Sequence, residues 1–217
     1  PFSQALALSF ATWLEQFCGN ASRVMELATA AINLSREHGF HFWVGWGQVL
    51  EGWAGAQTDM SGDEAAHRIS EGLAFWREKG SDLGRGYFLA LLAETHMLAG
   101  KQIEASDALA QSQEFADVTD ERYWEAERHR LAGELALMAD APMAEAEQHF
   151  QRAVDTAREQ GARSLELRAV TSLARYWQES GETEKARIEL AAVADSFTEG
   201  QDSRDMLAAR ALLEQLR

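Results

Sequence analysis

The 217-residue chain carries 35 Asp and Glu against 20 Lys and Arg, a formal net charge of −15 with a pI near 4.8. A surface that negative repels phosphate backbones and argues against nucleic acid as a partner. No apolar run approaches the roughly 20 residues that cross a bilayer, so no membrane span is expected. The single cysteine, Cys18, has no partner for an internal disulfide. No signal peptide is recognisable, and a reducing cytoplasm is the expected setting.

With only 2 prolines, abundant Ala, Leu, Glu and Arg, and no β-branched runs between turns, the chain reads as all-α. In chain order the spacing predicts helices over 4–18 and 21–38, 41–56 and 63–79, 84–99 and 102–117, 121–139 and 143–160, 163–180 and 183–197, then a last helix over 203–217. The clearest stretch runs from Trp124 to Trp177. There, Ala146, Phe150 and Ala153 form a small-large-small triplet on one helical face. Matching triplets are Val24, Ala28, Ala31; Ala65, Ile69, Gly72; Ala105, Leu109, Ser112; and Ala186, Leu190, Val193. Their first members are 41, 40, 41 and 40 residues apart. Such a period fits two helices and two turns.

The breaks agree with this period. Gly19-Asn20, Ser61-Gly62, Gly100-Lys101, Asp140-Ala141-Pro142 and Gly181-Glu182 divide the pairs, and Gly39, Gly80, Asp120 and Gly161 join them. Asp63, Asp140 and Glu182 are placed where a negative charge meets the positive end of a second helix. The last helix, with Asp202 or Ser203 as cap, has no partner of its own, as the covered end of a stack requires. The chain opens at Pro1, almost inside a helix, and is expected to be a piece of a longer protein.

These paired helices resemble tetratricopeptide repeats, although their period exceeds the usual 34 residues. WEAERHRLAGELAL, ARSLELRAVTSLARYWQESG and FTEGQDSRDM resemble, more specifically, the C-terminal helical-repeat region of large bacterial signalling ATPases. Those proteins carry a cyclase or DNA-binding domain and an NTPase module ahead of the repeats; maltose-regulator-type activators are a looser relative. The resemblance implies one right-handed α-solenoid domain over 1–217. It would contain about five antiparallel pairs (4–38, 41–79, 84–117, 121–160, 163–197) and a cap at 203–217. Gly72 and Ser112 depart from the usual alanine.

No catalytic constellation is readable. There is no GxxxxGK, no G-x-S-x-G and no histidine near Cys18 in sequence; Cys18 is read as buried filler. His38 and His41 at i, i+3 lack further metal ligands, and Asp59–Glu64 fails the calcium-loop spacing. No cofactor is called for. Trp43, Trp46, Leu50 and Trp53 read as the core stripe of one helix rather than a ligand platform. Gly45, Gly52 and Gly55 beside them point to close approach of a neighbouring helix.

The charged positions leave two readings open. Arg168 and Arg175, at i, i+7, fall off the apolar stripe Val170, Leu173, Ala174, Trp177. In stacked pairs the first helices line the concave surface, where a guanidinium fork would grip a partner's carboxylate or phosphate. Glu127, Arg130 and Glu134 stand similarly at i, i+3, i+7, and His129, Tyr87 and Tyr123 are further candidates. The alternative is ion pairing within an acidic protein. The expected function is a non-catalytic scaffold binding a protein segment or a neighbouring domain of its own chain; a homodimer is compatible with this. The other reading is a module that senses a small-molecule effector and controls a linked NTPase, cyclase or DNA-binding domain.

Overall fold

The computed structural model describes residues 1–139 and 141–217. Among these residues every regular element is a helix: α1 (Phe2–Phe17), α2 (Ala21–Glu37), α3 (His41–Ala56), α4 (Gly62–Glu78), α5 (Arg85–Leu98), α6 (Gln102–Thr119), α7 (Glu125–Met138), α8 (Met143–Glu159), α9 (Arg163–Glu179), α10 (Thr183–Ala194) and α11 (Arg204–Gln215). Two compact units are distinguishable, Pro1–Thr119 and Asp120–Arg217. Within each, helices pack chiefly against their neighbours in sequence.

The boundaries follow the sequence closely, and the differences have local causes. α7 begins at Glu125 rather than at 121. Asp120 adopts φ 58°, and the Glu121 carbonyl is taken by Arg128 Nη2 at 3.0 Å. The Arg122 carbonyl accepts from Gln160 at 2.7 Å, so side chains complete this segment instead of a helical ladder. Ser203, not Asp202, caps α11 by accepting from the Met206 N–H. Ser61 caps α4, which leaves Asp63 in the first turn. Glu182 occupies the cap position of α10 without a side-chain capping bond, its carboxylate accepting from Lys185 instead, and Asp140 lies outside the described residues. Cys18 is exposed at the end of α1 and so is not buried filler.

All fifteen triplet positions are buried, and each triplet lies on the second helix of its pair (α2, α4, α6, α8, α10). The first helices answer with a small residue at a fixed place: Gly52, Ala93, Gly133 and Ala174, spaced 41, 40 and 41. A Cβ on Gly52 would come 2.7 Å from Ile69 Cγ1 and 2.8 Å from the Ala65 carbonyl oxygen. On Gly133 it would come 2.5 Å from the Phe150 ring. At Gly52 and Gly133 the small position is thus the seat for the large member of the triplet, and close approach replaces the helix propensity that glycine gives up.

The two departures from alanine have the same logic. A Cβ on Gly72 would lie 2.8 Å from the Gly45 carbonyl oxygen, so α3 and α4 touch backbone to backbone. Ser112 donates to the Gly86 carbonyl oxygen at 2.6 Å, which binds α6 to α5. Unit 1 is built round Trp46, 1 % exposed, whose ring centroid lies 4.7 Å from Trp13, 5.0 Å from Trp76 and 5.3 Å from Phe88. Trp43, Leu50 and Trp53 are buried with it, and the Trp53 indole donates to Glu94 at 2.8 Å. Trp46→Ala is expected to cost about 3–5 kcal/mol, measured by urea denaturation, because the void is walled by rings with little freedom to collapse.

Candidate functional site

Four of the charged residues picked out in the sequence come together in unit 2, on α7 and α9. The spacing of Glu127, Arg130 and Glu134 puts them on one side of α7, and α9 packs against both α7 and α11. Arg130 grips Glu127 with both arms of its fork, Nη2 to Oε1 at 2.8 Å and Nε to Oε2 at 3.0 Å. Its Nη1 reaches Glu134 at 3.2 Å and Ser172 at 3.4 Å, while the Ser172 hydroxyl donates to Glu134 at 2.7 Å. Arg168 Nη1 stands 3.3 Å from Glu127. Its Nε and Nη2 donate to Asp205 Oδ2 at 3.1 and 2.8 Å. Asp205 lies in the first turn of α11, where the dipole favours a carboxylate. The ladder therefore joins three helices through three carboxylates and two guanidinium groups.

Its electrostatics suit burial. Glu127 is 3 % exposed. Burial alone would raise its carboxyl pKa, but Arg130 and Arg168 overrule it and hold the group at about 2. Burial likewise works to discharge Arg130, and Glu127 and Glu134 hold it above its ordinary value. The sign of the pH dependence follows. A carboxyl depressed in the folded state adds stability that is present in full above its ordinary pKa of 4.5 and is lost as pH falls towards 2. Unit 2 is expected to lose on the order of 3 kcal/mol from this group over that window. Urea titrations at stepped pH measure it, and Glu127→Gln should flatten the slope.

The remaining candidates do not join the ladder. Arg175 is exposed and makes no hydrogen bond or ion pair among the described residues. His129 is half-buried: burial lowers its pKa, Glu125 opposes, and His149, Arg152 and Arg128 lower it further. Tyr123 is 40 % exposed in the segment before α7. Tyr87, in unit 1, has no exposed surface, and its hydroxyl donates to Gln16 at 2.6 Å, tying α5 to α1. It is a core residue rather than a groove contact, because its register position matches that of Trp46, 41 residues earlier.

Sequence reasoning missed Asp205 and Ser172. It also missed a second buried carboxylate, Glu166, held by Arg158 Nε at 2.8 Å and by Arg163. Only the Arg163–Glu166 pair carries a local signal, an i, i+3 spacing. Chemically, the ladder spends its guanidinium donors internally. An oxyanion reaching Arg168 would have to displace Asp205, whereas Arg175 is open to one. Among the described residues, no group of three or more His, Cys, Asp or Glu is arranged to hold a metal ion, and no helix is long and apolar enough to cross a membrane. No protein-family model matches the chain, and comparison with the curated proteins finds no match.

Proposed function

We propose that the chain is a non-catalytic scaffold of tetratricopeptide type: a right-handed stack of antiparallel helix pairs that binds a protein segment or a neighbouring domain in a bacterial signalling ATPase. The observation that carries this reading is the ladder across α7, α9 and α11. Its charges are satisfied internally, so it locks the first helices of unit 2 to one another before any partner arrives. A surface fixed in advance loses little conformational entropy on binding. Arg175, seven residues along α9 from Arg168, supplies an exposed guanidinium for a partner's carboxylate. The test is affinity capture from the source cytosol by the wild-type chain and by Arg175→Glu, with unfolding curves matched beforehand. A partner, or a linked domain of the parent, held by the wild type and lost by the variant supports the reading. Equal capture by both contradicts it.

The effector-sensing alternative has one observation in its favour. In unit 1 a cleft of about 10 Å³ is lined by Leu73, Trp76, Arg77, Asp82, Arg85 and Phe88. Typical ligand pockets hold about 300–1,000 Å³, whereas this cleft has room for about one water molecule, and the scaffold reading is preferred.

A further inference from the structure

A second titratable cluster lies on the other side of α7 from the ladder. Glu125 and His129 stand one turn apart there. Gly133, a further turn along, is where α7 meets the Phe150 ring of α8. On α8, His149 immediately precedes Phe150 and Arg152 follows it by two residues. His129 and His149 are each half-buried. Two imidazoles therefore flank the close contact that holds α7 against α8.

Their surroundings suit neutral rings and oppose charged ones. The Nδ1 atom of His149 is buried and has no hydrogen-bond partner among the described residues. A neutral ring can leave a bare lone pair at that atom, but an imidazolium must carry a hydrogen there, and nothing would receive it. Arg152 is exposed and makes no hydrogen bond or ion pair among the described residues, so no carboxylate neutralises it. Arg128, 2 % exposed, brings a second guanidinium to the cluster. The acids are fewer. Glu125 opposes these charges from α7, but Arg122 Nη1 also holds it, at 3.5 Å. Glu145, one turn before His149, is exposed and forms no ion pair with it. On α9, which packs on both helices, Arg163 pairs with Glu166, and Arg168 with Glu127 and Asp205. Burial, His149, Arg152 and Arg128 together outweigh Glu125 and hold the His129 imidazole below its ordinary value of 6.5.

We propose that the α7–α8 pair is an acid-sensitive catch, closed while His129 and His149 are neutral and released when they take up protons beside Arg128 and Arg152. Acid favours opening because the opened chain binds those protons more readily than the closed one. The loss begins as pH falls below 6.5, the ordinary value for an imidazole, and is complete once the folded chain is protonated as well. That window lies above the 4.5 from which the Glu127 ladder begins to fail, so the two events are separable by pH. Unit 2 thus answers to mild acid through one helix pair and to strong acid through another set of charges.

Native-state hydrogen exchange, corrected for the intrinsic pH dependence of amide exchange, reads this opening helix by helix. From about pH 7.5 to about pH 5.5, protection of the α7 and α8 amides in the wild type should fall about tenfold. His129→Gln combined with His149→Gln should abolish the fall, since neither amide side chain titrates. Arg152→Gln should make the fall smaller while leaving both imidazoles in place, which a histidine titrating without its cationic neighbours would not do. Arg152 is already exposed, so this variant keeps its fold and carries the test if the double variant does not. Wild-type protection that does not change with pH overturns the inference. So does a fall that persists in the double variant, or one as large in Arg152→Gln as in the wild type. The inference stands apart from the scaffold reading: partner capture through Arg175 near neutral pH would survive any of these results.

Discussion

Glu127→Ala is expected to destabilise unit 2 by about 3–5 kcal/mol, because it strands two guanidinium groups that share one buried carboxylate. The mutation removes little apolar contact. Its cost comes from Arg130, which loses both arms of its fork grip, and from Arg168, which loses Glu127 and keeps Asp205. Glu127→Gln should cost less, since the amide oxygen still accepts from one arginine, and the difference between the two variants isolates the charge. The triple variant Glu127→Leu, Arg130→Met, Arg168→Met should recover most of the loss, because removing whole buried ion pairs together often comes out near neutral. Equilibrium urea denaturation measures all three. A Glu127→Ala cost under about 1 kcal/mol would mean that water, not the arginines, satisfies this carboxylate.

The second large effect is Phe150→Ala, expected to cost about 3–5 kcal/mol. Phe150 has no exposed surface and lies over Gly133. Gly133→Ala alone should destabilise by about 1–2 kcal/mol, because overpacking against the ring exceeds the gain in helix propensity. In the Phe150→Ala background the same Gly133→Ala change should reverse sign and stabilise by about 1 kcal/mol, since the methyl enters vacated space and the propensity gain remains. A double-mutant cycle reads this directly. Equal effects of Gly133→Ala in both backgrounds would show that the ring does not constrain the glycine.

How much of this was legible depends on where each signal sits. Helices and breaks were readable because Gly39, Gly100, Gly161 and Gly181 punctuate amphipathic runs and all take positive φ. The second-helix triplets were readable because Phe150 or Ile69 between small residues is unusual enough to recur visibly. Their seats, Gly52 and Gly133, were not, because a lone glycine is unremarkable until the large residue opposite is known. The charged candidates were half legible. Spacing put Glu127, Arg130 and Glu134 on one face, but the contact of Arg168 with Asp205 spans 37 residues and depends on how α11 folds back on α9. α1 shows the limit most plainly. Both of its stripes are helical in period, and only packing decides that Ser9 and Thr12 go inward, that half of Phe10 is covered by Trp46, and that Leu14 stays out.

A one-residue insertion is the most direct test of the register on which the account rests. One alanine added between Gln148 and His149 rotates Phe150 and Ala153 by about 100° relative to Ala146, off the face turned to Gly133. Unit 2 should lose more than about 3 kcal/mol, while the same alanine placed in the 195–203 connection should change stability by less than about 0.5 kcal/mol. Equal tolerance of the two insertions would contradict a fixed fit between the helices of each pair.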